Sequence, residues 1–116
     1  MKRDLELIKK ILLELEKDQS PFDWKSFEYA DKISYCYHIK LLWQADLIEA
    51  IDMSSKGNPD WAPICLTWQG HEFLEAAKND KAWDKVKSTT ISEGVSMPFS
   101  VLKELLLITI KTELGF

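Results

Sequence analysis

Apolar positions recur at helical spacing from the fourth residue onward. Leu5, Ile8, Leu12 and Leu15, widened by Leu7 and Ile11, make one stripe, with Lys9, Lys10, Glu14 and Glu16 on the other side, which predicts a helix over 4–17. Asp18-Gln19-Ser20-Pro21 ends it, because proline disfavours helix in the residue before it and donates no amide hydrogen. Phe22, Trp24, Phe27 and Tyr29 then alternate loosely with polar residues, so 22–29 reads as a short strand able to pair with a later hairpin, or as a helical turn. Asp31 is placed to cap a helix over 32–45. Its core face carries Tyr35, His38, Ile39, Leu42 and Ala45, and its opposite face Ile33, Cys36, Tyr37, Lys40, Trp43 and Gln44.

The spacing changes to period two beyond this helix. Leu47–Met53 and Trp61–Leu66 read as two strands joined by Ser54-Ser55-Lys56-Gly57-Asn58-Pro59-Asp60, where Gly57 and Asn58 suit positive φ. Thr67 is an N-cap for a helix to about Lys78 with Phe73, Leu74 and Ala77 inward, and Gly70 falls where a bulkier residue would block close packing. A shorter helix around 82–87, anchored by Trp83, gives way to a polar loop over Ser88–Ser96. A last helix starts at Ser96 or Met97, with Pro98 in its first turn, and runs to about Leu114. Val101, Leu102, Leu105, Leu106, Leu107, Ile108, Ile110 and Leu114 cover more than half its circumference. Either it is clamped inside the chain, or it forms a homodimer seam with the first helix; the dimer is the preferred reading, with Leu105 and Ile108 as interface candidates.

Helix, β-hairpin, helix in that order is the second half of a winged helix. The expected fold class is therefore α+β: a winged-helix domain with a small β-hairpin wing and additional C-terminal helices. One domain over 1–116 is expected, with a core at 1–79, the wing at 47–66 and a helical extension at 80–116.

Composition changes this picture in three ways. The chain of 116 residues can bury a single core. Its net charge of −4 argues against a dedicated nucleic-acid binder, although only one face need be basic. Five tryptophans are more than average for a chain this short, and they read as core anchors in part and as interface residues in part. Cys36 and Cys65 lack metal spacing and read as free thiols rather than a disulfide. Met1-Lys2-Arg3-Asp4 leads straight into a helix without a signal core, and the apolar run 105–108 is too short to cross a bilayer. A cytoplasmic protein without membrane contact is expected.

Catalytic chemistry is the least supported class. His71-Glu72 would need a second histidine four residues after the first for a zinc protease, and Glu75 stands there. His38 lies beside the core stripe and reads as a structural histidine. No catalytic residues, metal or cofactor are expected. The outward face of the 32–45 helix offers Lys32, Ser34, Tyr37, Lys40 and Gln44 to base edges of double-stranded DNA, and the wing offers Ser55, Lys56 and Asn58 to phosphates. The competing reading is a protein-interaction module that uses Trp43 beside Tyr37, with a phage or host protein as partner.

The run His38-Ile39-Lys40-Leu41-Leu42-x-x-Ala45-x-Leu47-Ile48 resembles the recognition-helix-to-wing junction of bacterial winged-helix regulators, and Leu66-Thr67-x-x-Gly70 resembles the pattern that follows their wing. Asp46 stands where those helices end in glycine, which implies a differently shaped exit. The segment before Asp31 is a poor amphipathic helix, so the first helix of the usual pair is missing or reduced to a turn. The whole chain more closely resembles an uncharacterised family of phage and bacterial proteins, domain of unknown function 2513. The likeness rests on Met1-Lys2-Arg3-Asp4, Ile11-Leu12-Leu13-Glu14, Tyr37-His38-Ile39-Lys40-Leu41-Leu42 and the run from Trp61 to Leu74. It implies a winged-helix-like fold and a home on prophages or other mobile elements, with no enzyme activity and no established ligand. The function expected is a small DNA-binding or DNA-associated regulator.

Overall fold

A computed structural model describes residues 3–17, 31–93 and 98–114; the segment 22–29, read above as strand or turn, lies outside them. The fold is α+β, with five helices and one two-stranded antiparallel hairpin among the described residues. The chain divides into two compact units, Met1–His71 and Glu72–Phe116.

In the first unit, α1 (Leu5–Glu16) begins where Asp4 Oδ1 accepts the amides of Glu6 at 3.0 Å and Leu7 at 3.3 Å. Its buried side is Leu5, Leu7, Ile8, Ile11 and Leu12. Asp31 caps α2 (Lys32–Gln44) in the same way, through the Ser34 amide at 2.6 Å. Tyr35, His38, Ile39 and Leu42 are buried as the periodicity predicts. Cys36, assigned above to the opposite face, is buried as well. The reason is tertiary: the hairpin packs against α2, and the Trp61 backbone lies within hydrogen-bonding reach of the Cys36 thiol.

The exit of α2 is tight. The Leu47 amide reaches back to the Leu42 carbonyl and the Asp46 amide to that of Trp43, both at 3.0 Å, and Asp46 takes φ +60. Those are the paired bonds of a helix end closed by a left-handed residue, which is usually glycine. The expected change of shape at Asp46 does not occur; aspartate adopts the glycine conformation, one that short polar side chains tolerate.

β1 (Ile48–Asp52) and β2 (Trp61–Leu66) pair from Ile48 opposite Leu66 to Asp52 opposite Trp61. Glu49 faces Cys65 and Ala50 faces Pro63, so Ile64 is the extra residue of a bulge. A bulge is one of the few strand positions where proline, which donates no ladder hydrogen bond, is tolerated. The hairpin closes in a two-residue turn, with Ser55 and Asn58 exchanging backbone hydrogen bonds at 3.1 and 2.7 Å. Positive φ falls on Lys56 (+35) and Gly57 (+79), not on Asn58. Two positive values in a row give the turn the hand that matches strand twist.

The start of α3 (Trp68–Ala77) is tied to the exit of α2. Thr67 Oγ1 donates to the Asp46 carbonyl at 2.6 Å and accepts the Gly70 amide at 3.1 Å, while the Thr67 amide donates to the Leu47 carbonyl at 3.0 Å. A Cβ on Gly70 would lie 2.9 Å from the Leu47 carbonyl carbon and closer still to its oxygen. The pattern Leu66-Thr67-x-x-Gly70 thus has a physical meaning: a buried strand end, a cap that also grips the preceding helix exit, and a bare backbone where that exit passes.

The second unit is built on Phe73, whose ring meets Trp83 edge-on at 6.5 Å and Phe99 at 5.6 Å. Asn79 caps α4 (Asp80–Glu93) through the Ala82 amide at 3.1 Å, and Ala82, Trp83 and Val86 are its buried side. The helix is longer than the expected 82–87, since residues 88–93 continue it instead of forming a loop. Serine and threonine composition suggests a loop there, but a hydroxyl can bond within a helix, as Thr89 does to the Lys85 carbonyl at 3.0 Å. α5 (Phe99–Leu114) buries Phe99, Leu102 and Leu106, and Lys103 pairs with Glu72 at 2.9 Å.

Candidate recognition cleft

α2 and the hairpin enclose an open cleft of about 730 Å³, which lies entirely within the first unit. Its position follows from the register. Ala50 and Asp52 point to one face of β1, and Trp61, opposite Asp52, points to the same face. That face looks at the side of α2 carrying Ile33, Cys36, Tyr37, Lys40 and Trp43, where the neighbours Cys36 and Tyr37 each fall three or four residues from Ile33 and Lys40. Two indoles line it together: Trp43 and Trp61 lie with ring centres 5.2 Å apart at an interplanar angle of 50°. Trp43 remains 46% exposed and Ile33 59% exposed. Lys40 and the turn residues Ser55, Lys56 and Asn58 also line it, and all four are exposed.

The charged groups of the cleft are not equivalent. Hydrogen bonds from the Ser54 hydroxyl and from its amide at 2.9 Å hold the Asp52 carboxyl below its ordinary range, with a smaller contribution from Lys40. Asp52 is therefore engaged with its own turn. Lys40 and Lys56 make no ion pair among the described residues. Burial pushes the Cys36 thiol up, opposed by the Trp61 backbone amide, and Asp60 and Asp52 raise it further against Lys32. A thiol so held stays protonated near neutrality and is a poor nucleophile. Cys65, outside the cleft, donates to Glu49 at 3.2 Å, and that bond pushes its thiol up too; neither cysteine is in a disulfide.

Of the residues singled out from sequence, Tyr37, Lys40, Trp43, Ser55, Lys56 and Asn58 come together here. Lys32 and Ser34 are half-buried and lie outside the cleft, and Gln44 is exposed beyond it. Leu105 and Ile108 are on α5, in the second unit, half-buried and exposed respectively. Trp61 and Asp52 were missed. Their signal was the strand register, which alone places Trp61 opposite Asp52 and facing α2. His38 is a structural residue: Nε2 accepts the Asp4 amide at 2.7 Å, so Nδ1 carries the hydrogen and donates it to the Ser34 carbonyl at 2.7 Å. Among the described residues, no group of three or more histidine, cysteine or acidic side chains is placed to hold a metal ion. No described helix is long and apolar enough to cross a membrane.

The family model for DUF2513, described as a hypothetical protein, matches residues 2–96. The chain belongs to this family. A protein of Haemophilus influenzae named only as uncharacterised is 38% identical over 110 residues, covering 90% of this chain and 91% of its own length. No solved structure matches. The family match takes in α1, α2, the hairpin, α3 and α4, and hence the whole cleft, whereas α5 lies beyond it.

Proposed function

We propose that this family member is a non-enzymatic recognition module on a winged-helix-like frame, with α2 as recognition helix and the hairpin as wing. Its cleft captures a segment of a partner protein, in keeping with a regulatory or accessory role in a phage or mobile element. The observation that carries the reading is the Trp43–Trp61 pair, partly exposed beside Ile33 in a cleft whose charged lining is Lys40, Lys56 and Asp52. Exposed tryptophans in a concave, largely apolar setting are the usual anchors of protein interfaces. A nucleic-acid phosphate seated in the same place would meet indole rings, in a chain whose net charge is −4.

A second reading has its own support. Lys40 on the helix and Lys56 at the turn flank one cleft, the arrangement by which a helix in a major groove and a wing on neighbouring phosphates engage duplex DNA. One experiment separates them. Immobilised wild-type protein, Trp43→Ala and Lys40→Ala/Lys56→Ala are exposed to host lysate, and the same proteins are titrated with random-sequence duplex DNA at rising salt by fluorescence anisotropy. Partner capture lost with Trp43→Ala and kept by the double-lysine variant supports the protein reading. Micromolar DNA binding that falls steeply with salt and weakens in the double-lysine variant would overturn it in favour of DNA.

A further inference from the structure

α5 presents a second apolar surface, independent of the cleft. Phe99, Leu102 and Leu106 are buried, but Val101, Leu105 and Ile108 follow each other at helical spacing on another side. Val101 is 41% and Ile108 59% exposed, with Leu105 half-buried. Thr112 continues the stripe, and its hydroxyl is satisfied by the Ile108 carbonyl at 3.0 Å. One edge of the stripe carries Glu104 and Lys111, two helical turns apart and both exposed. Neither makes an ion pair within the chain among the described residues.

We infer that a second copy of this chain packs on this stripe, with the two α5 helices antiparallel about a twofold axis between Leu107 and Ile108. Such an axis sets Glu104 of one copy beside the partner's Lys111, and does so twice. It also brings the two Ile108 side chains together at the centre, with Leu105 and Val101 further out. The occupant is read from this self-complementarity. An isologous interface requires each patch to supply both halves of every contact, and one acidic and one basic residue placed symmetrically about an apolar centre meet that requirement. A seam one helix long is small beside the roughly 1,600 Å² of a standard interface, so the dimer is a weak one that depends on concentration.

Sedimentation equilibrium from low micromolar to near-millimolar protein tests this. The weight-average mass should rise toward twice that of the monomer. Ile108→Glu, at an exposed position, should leave the circular dichroism spectrum unchanged, match the wild-type melting curve at concentrations where both are monomeric, and remain monomeric throughout. Glu104→Lys sets like charges opposite each other twice and should weaken association about fivefold. Glu104→Lys combined with Lys111→Glu should restore it. A wild type that stays monomeric at the highest concentration overturns the inference, as does self-association that survives Ile108→Glu. A double charge swap that fails to rescue overturns the antiparallel pairing.

Discussion

Replacing Thr67 by valine removes one hydroxyl and little else, because the two side chains have nearly the same shape. In the structure that hydroxyl closes two contacts, donating to the Asp46 carbonyl at 2.6 Å and accepting the Gly70 amide at 3.1 Å. The second is the N-cap of α3; losing a threonine cap costs about 1 kcal/mol. The first joins two backbone segments twenty-one residues apart in sequence. Its acceptor end is exposed, so water partly replaces it, and the loss is at the low end of the usual range, roughly 0.5–1 kcal/mol. The expected total is about 1.5–2 kcal/mol for Thr67→Val. Thr67→Ser keeps the oxygen and should remain within about 0.5 kcal/mol of wild type. Urea unfolding followed by tryptophan fluorescence reads both as shifts in midpoint at unchanged slope. Two results would refute the reasoning: a Thr67→Val midpoint equal to wild type, or a Thr67→Ser midpoint displaced as far as that of valine. The first would mean that water replaces both contacts fully, the second that methyl packing rather than the hydroxyl matters.

Gly70→Ala gains about 1 kcal/mol of helix propensity but drives a methyl group into the Leu47 backbone, which cannot swing aside; a net loss of about 2 kcal/mol or more is expected in the same assay. Lys56→Asn should act in the opposite sense and stabilise by about 0.5–1 kcal/mol, because lysine at φ +35 carries a conformational penalty that asparagine largely avoids. That variant also removes a cation from the cleft, so a more stable protein with a shallower salt dependence of DNA binding would favour the DNA reading of the cleft. The Cys65 thiol is raised by its bond to Glu49, so Glu49→Ala should lower it and speed alkylation by iodoacetamide at mildly alkaline pH, with Cys36 unreactive in both proteins. Equal rates in the two proteins would remove Glu49 as the cause.

What the sequence determined by itself was local. Asp31 and Thr67 announce helix starts because a side-chain oxygen three residues ahead of a free amide needs nothing beyond its own turn. The stripe of α1, the core face of α2 and the two strands were legible for the same reason: hydrophobic period reports which side of an element is dry. Composition misled at residues 88–93, where hydroxyl side chains that usually mark loops can be satisfied along α4 itself. The tertiary structure decided everything that depends on two elements meeting. Asp46 takes a glycine conformation because the hydrogen bonds of Asp46 and Leu47 to α2, and Thr67's grip on the same exit, hold it there. Cys36 is buried because the hairpin covers the second side of α2, which no period along the helix can reveal. The cleft exists only because the register of β1 and β2 turns Trp61 and Asp52 toward Trp43 and Lys40. A one-residue shift in that register would point them the other way, and only the packed molecule fixes it.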